Sequence, residues 1–152
     1  MKKYELTDET IDVSGTTLHR IKALKDFGNV KKGELGGYVE SEHNLSQEGN
    51  CWVCGNAKVC GDAEVCGNAK VCGNAKVCGD ADYIIIKGLG SVCRNTTIFR
   101  TKGKNIAVKC GCFYGTLAEF VDKVKETHGN SKFTKEYLAL IDLVKIHFEL
   151  EE

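Results

Sequence analysis

CWVCGN, AKVCGD, AEVCGN, AKVCGN and AKVCGD follow one another without a break over residues 51–80. The third position of each hexad is Val (Val53, Val59, Val65, Val71, Val77) and the fourth is Cys (Cys54, Cys60, Cys66, Cys72, Cys78). Gly holds the fifth position, and Asn or Asp the sixth. A fixed period this short marks a solenoid in which each repeat is one short strand and one turn. Alternate side chains of a strand point to opposite faces. Ala57 and Val59 therefore point inward, and Lys58 and Cys60 outward. Gly followed by Asn or Asp makes the corner, because these residues accept left-handed backbone angles at little cost. Three such sides close one coil, so Val53 stacks under Val71 and Val59 under Val77.

The hexads resemble those of the left-handed parallel β-helix, the hexapeptide-repeat fold. Handedness is implied by that resemblance, since ordinary parallel crossovers are right-handed. A right-handed solenoid or a stack of hairpins is the competing arrangement. The expected fold class is mainly β: a short left-handed parallel β-helix over residues 37–86, behind a β-rich N-terminal cap over 1–36. Residues 87–152 follow as C-terminal strands and a two-helix hairpin.

The chain has 152 residues, with 21 basic and 21 acidic side chains and so no formal net charge. This balance argues against a dedicated nucleic-acid binder and against an acidic nucleic-acid mimic. No stretch reads as a signal peptide or membrane span, so a cytoplasmic setting is expected. A reducing compartment would keep the nine cysteines as thiols.

Tyr4 to Leu6 reads as a short strand, Asp12 to Thr16 as a turn, and Thr17 to Leu24 as a second strand. Val39 and Leu45 stand six apart with Gly37 and His43 at the inward small-residue position, so the repeats begin before Cys51. Gln47 to Asn50 hold a corner insertion. Ile84, Ile85 and Ile86 form an apolar run expected to be buried on both faces. Two more strands are expected, Thr96 to Thr101 and Asn105 to Lys109. Thr116 and Glu119 make a capping box for a first helix, which His128-Gly129-Asn130 stops. Thr134 is the expected cap of a second helix, with Tyr137, Ile141, Val144 and Phe148 along one stripe widened by Leu138, Leu140 and Leu143. This hairpin must pack on the end of the repeats or on a second subunit.

The runs TLHRIKALKDFG, GELGGYVESEHNLSQEGNCWV and CGCFYGTLAEFVDKVKETHG, together with the hexads, are similar to a family of phage and prophage hexapeptide-repeat (GNAxV-type, polymer-forming-like) β-solenoid proteins. The resemblance implies a phage accessory protein and carries over no catalytic residue. On that reading the chain is a non-catalytic binding protein inhibiting a host factor, through a defence protein or a sequestered nucleotide signal. The alternatives are a hexapeptide-type acyltransferase, or a structural and assembly module. Related β-helices favour trimers, so a homo-oligomer is expected, with no membrane partner and no sequence-specific nucleic acid.

Candidate sites follow from the residues. Trp52 is the single Trp and occupies an outward position, where an exposed aromatic marks an interaction surface. Lys58 stacks over Lys76, with Lys70 and Glu64 on other sides, giving either a solvated face or an anion-binding strip. Lys125, His128, Lys132 and Lys135 gather about the interhelical loop and offer a second cationic patch. His43 is the one histidine within the repeats, where an acyltransferase would carry its general base. Cys110-Gly-Cys112 precedes a helix, where a thiol can be activated. The stacked cysteines read as packing residues, because a flat ladder offers two thiols per side and zinc needs four converging ligands. No catalytic residue, cofactor or metal site is assigned.

Overall fold

The computed structural model describes residues 1–92, 94–102 and 105–150. β1 (Tyr4–Val13) and β2 (Thr16–Ala23) form an antiparallel hairpin. The turn falls where Asp12 to Thr16 predicts it, with Ser14 and Gly15 at positive φ and the Gly15 N–H donated to Asp12 Oδ1. β1 runs further than Tyr4 to Leu6, through a register shift between Leu6 and Thr10. β3 (Leu35–Val39) lies antiparallel to β2, and Tyr38 and Val39 then pair in parallel with Lys58 and Val59, the second of the four hexad rungs.

Those rungs are β4 (Trp52–Val53), β5 (Lys58–Val59), β6 (Lys70–Val71) and β7 (Lys76–Val77). Val53 pairs with Val71, and Val59 with Val77, in the register read from the repeat. The interior column is as expected: Ala57, Ala63, Ala69, Ala75 and all five hexad valines have no exposed surface. The corners are made by Gly55, Gly61, Gly67 and Gly73 at φ of 62 to 66°, angles that a side chain with a Cβ resists.

The expected left-handed parallel β-helix, and a β-solenoid of any hand, are overturned by the sheet topology. The rungs do not run on into a closed coil. They are divided between a five-stranded mixed sheet, ordered β1-β2-β3-β5-β7, and a separate two-stranded sheet of β4 and β6. A third, four-stranded sheet is wholly antiparallel. The cause lies in strand length. Each hexad rung gives two residues of strand before its glycine corner. The longer strands on either side carry tight turns, and a tight turn joins antiparallel neighbours.

The antiparallel sheet contains β8 (Tyr83–Leu89), β9 (Arg94–Arg100), β10 (Ile106–Cys110) and β11 (Phe113–Thr116), in the order β11-β10-β9-β8. β8 is an edge strand, so Ile84, Ile85 and Ile86 are half-buried and not enclosed on both faces. Alternation along β9 and β10 joins two cores. Phe99 and Ala107 face the hexads, and Ile98, Ile106 and Val108 face the helices.

α1 (Leu117–His128) begins at the Thr116–Glu119 capping box and ends at Gly129, φ 57°. α2 (Lys132–His147) begins earlier than Thr134, with Ser131 as its N-cap residue. Thr134 instead donates its hydroxyl to the Gly129 carbonyl at 2.7 Å, which closes the interhelical loop. Tyr137, Leu140, Ile141, Val144 and Phe148 are buried against the antiparallel sheet, whereas Leu143 turns outward and is half exposed. The helices thus cover the sheet that follows the repeats. His147 Nε2 lies 2.8 Å from the Ala81 carbonyl and ties the end of α2 to that junction.

One inward assignment and one thiol assignment change. A short helical turn, Glu42–Asn44, shifts the register before Leu45. His43 is exposed, and Asn44 is the buried residue. Asn44 donates Nδ2 to the carbonyls of Gly61 and Ala63, at 3.1 and 2.8 Å, and locks this turn to the hexads. Cys54 and Cys72, expected as thiols, are joined by a disulfide across the β4–β6 rung.

Candidate functional site

Trp52 does not stand on the surface. Its side chain is 2% exposed, because the N-terminal segment lies over the outward face of its hexad. Tyr4 and Phe27 meet its ring edge-on, at centroid distances of 6.3 and 5.2 Å. Gly36 passes so close that a Cβ there would lie 2.7 Å from the indole. The indole Nε1 is buried without a hydrogen-bond partner, a costly state that a bound acceptor would relieve.

The same indole borders a groove of about 450 Å³. One wall is the β4–β6 rung, with Trp52, Lys70 and the Cys54–Cys72 pair. The facing wall is the start of β9 and the end of β10, with Arg94, Asn95, Thr97 and Lys109. Asn29, Val30 and Glu34 form the rim. The Lys70 N–H donates to Thr97 Oγ1 at 3.2 Å and holds the walls together. The Asn95 Oδ1 is a second buried polar atom without a partner.

Charge in the groove is uneven. Lys70, Arg94 and Lys109 face a single carboxylate, Glu34. Burial holds the Lys70 ammonium below its ordinary range, the Lys109 charge pushes it further down, and Glu34 opposes the shift. Concentrated positive charge beside an unsatisfied N–H donor, the Trp52 indole, is the chemistry of an anion site.

A second depression, of about 240 Å³, shares Arg94 and Cys112 with the first. Its lining is mainly apolar and aromatic, from Phe113, Phe120, Val124 and Tyr137 with Cys110, and Lys123 and Thr127 add polar groups. His128 closes one side, its ring stacked on Tyr137 at 6.1 Å and tilted against Phe133 at 5.5 Å. Cys112 is exposed where the two depressions meet.

The sequence-predicted residues separate on this geometry. Trp52 and His128 border the two depressions. Lys58 and Lys76 pair side by side as expected, but on β5 and β7, outside both. Lys125, Lys132 and Lys135 are exposed on the helices and line neither. His43 also lies outside them. Lys70 was read within the outward row that offered an anion-binding strip but was not chosen as a site residue, and Arg94, Asn95 and Lys109 were not singled out at all. Lys70 had a visible signal, since it occupies the hexad position that aligns with Trp52. The β9 and β10 residues had none, because sheet pairing alone brings them to the groove.

No protein-family model matches the chain. Over 61 aligned residues it is 39% identical to YdcK, an uncharacterised acetyltransferase of Escherichia coli (strain K12), across 35% of this chain and 19% of that protein. The match therefore spans about a fifth of the length of that relative. The expected phage origin has no support in these comparisons. Among the described residues, no helix is long and apolar enough to cross a membrane.

Proposed function

We propose that this chain is an acyltransferase of the hexapeptide-repeat kind that holds a phosphorylated acyl donor across the two adjoining depressions. The observation that carries the reading is their shared boundary at Arg94 and Cys112. The cationic groove suits the phosphates and nucleotide of a coenzyme A thioester, with Trp52 Nε1 and Asn95 Oδ1 meeting polar groups of the ligand. The aromatic pocket suits a short acyl chain. The likeness to YdcK supports this class over inhibition of a host factor.

His128 is the general base in this proposal. An acceptor amine or hydroxyl attacks the thioester carbonyl carbon and gives its proton to His128. The carbon–sulfur bond then breaks, and the departing thiolate takes a proton back. A simpler second reading, ligand binding without chemistry, is favoured by one observation: among the described residues no carboxylate is hydrogen-bonded to the His128 ring to orient it.

Calorimetric titration with acetyl-coenzyme A, paired with an assay for released thiol over a panel of amine acceptors, tests both. Binding that weakens about tenfold in Lys70→Ala or Arg94→Ala, roughly 1.4 kcal/mol, supports the groove. Thiol release that fails in His128→Ala while binding persists supports transfer. Binding without release in the parent protein selects the second reading. Undetectable binding removes both.

A further inference from the structure

The hexad cysteines fall into three environments. Cys54 and Cys72 are bonded to each other, with Cα atoms 4.6 Å apart, at the groove wall. The Cys66 sulfur faces the Tyr83 hydroxyl at 3.9 Å. Cys60 and Cys78, which directly follow β5 and β7, are free thiols, their sulfur atoms 3.0 Å apart on the outer surface. Their backbones are held in register, since Val59 pairs with Val77 and the Cys60 N–H donates to the Val77 carbonyl at 2.9 Å.

Rung spacing decides what such a pair can hold. Neighbouring strands lie about 4.8 Å apart. A thiolate–metal bond is about 2.3 Å long, so two collinear bonds span roughly 4.6 Å. The strand spacing therefore matches a linear sulfur–metal–sulfur unit, reached by small side-chain rotations that leave the rungs in place. Among the described residues, no group of three or more His, Cys, Asp or Glu is placed to hold a metal ion. The pair therefore suits an ion content with two soft donors better than zinc, which takes four ligands. Two carboxylates beside the pair are engaged with backbone: Glu40 accepts the Gly61 N–H at 2.9 Å, and Asp82 accepts the N–H groups of Cys78 and Gly79 at 2.8 and 3.2 Å.

We propose that Cys60 and Cys78 form a two-coordinate site for a soft monovalent cation of the copper(I) class. On binding, two metal–sulfur bonds form, two thiol protons pass to solvent and no electron is transferred. The metal must therefore compete with protons, and uptake strengthens as pH rises.

The test uses the full chain under anaerobic conditions, with copper(I) supplied as its bicinchoninate complex and kept reduced by ascorbate. The expected result is one copper(I) withdrawn per chain, with affinity falling at least a hundredfold in Cys60→Ser and in Cys78→Ser. Cys66→Ser and Cys112→Ser keep full uptake. X-ray absorption of the loaded protein shows two sulfur neighbours and no third ligand. Unchanged far-ultraviolet circular dichroism establishes that the surface substitutions leave the fold intact. A parent protein that withdraws no copper, or a Cys60→Ser protein that withdraws as much as the parent, overturns the site. So does a spectrum with three or four sulfur neighbours.

Discussion

Lys70 is the residue on which the groove's behaviour turns. It is half-buried, faces Lys109 and is held below the ordinary lysine range. An anion placed between the two cations would favour the charged form and raise that value. Binding near the depressed value therefore takes up a proton, and affinity declines as pH climbs through it. Titrations of acetyl-coenzyme A in buffers of different ionisation enthalpy should show this proton uptake. Lys70→Arg, which stays charged throughout, should flatten the pH dependence. A second residue-scale prediction concerns Lys3, which is 1% exposed. Its ammonium donates to the Cys51 carbonyl at 2.9 Å and reaches those of Glu48 and Gly49 at 3.4 Å. Lys3→Met keeps the apolar stem but strands those carbonyls. It should cost about 2–3 kcal/mol in urea denaturation.

At the scale of the element, the hexads were the legible part. Ala and Val inside, Gly at the corner and the pairing of each rung eighteen residues on all follow from a two-residue period interrupted by a turn. The assembly of those rungs was not legible. Their strands are too short to determine a sheet, and hairpins outside the repeat decide it. Trp52 shows the same limit within one hexad. Its outward position was right, and only the overlying segment with Tyr4 and Phe27 makes that outward face an interior. The first helix was readable from its cap, because a capping box is local chemistry. Glu119 accepts the Thr116 N–H at 2.9 Å, and the Thr116 backbone and hydroxyl hold its carboxyl below the usual range. A carboxylate depressed in the folded state contributes stability that is complete above its unfolded value. That contribution is lost as pH falls through the lower, folded value. Thr116→Ala should cost about 1 kcal/mol at neutral pH. The difference from the parent should shrink below about pH 4.3, the ordinary glutamate value, as thermal melts across that range would show.

The molecule as a whole consists of two cores that share one sheet. The hexad interior meets Phe99 and Ala107 on one face, and the helices meet Ile98, Ile106 and Val108 on the other. Neither can open without disturbing β9 and β10. Unfolding followed by Trp52 fluorescence, which reports the first core, should therefore coincide with unfolding followed by helical circular dichroism, which reports the second. Separate midpoints would mean that the sheet does not couple them. The groove exists at this scale only. Its cations come from a hexad rung and from strands 24 to 39 positions further on, and no sequence period links them.

Trp52 is the single tryptophan of the chain, and it borders the groove. Its fluorescence during titration with acetyl-coenzyme A is therefore the most direct measurement of the central claim. The account predicts a saturable change in intensity and wavelength that weakens about tenfold in Lys70→Ala, roughly 1.4 kcal/mol. An emission spectrum indifferent to the ligand, or a titration unchanged by Lys70→Ala, would contradict it.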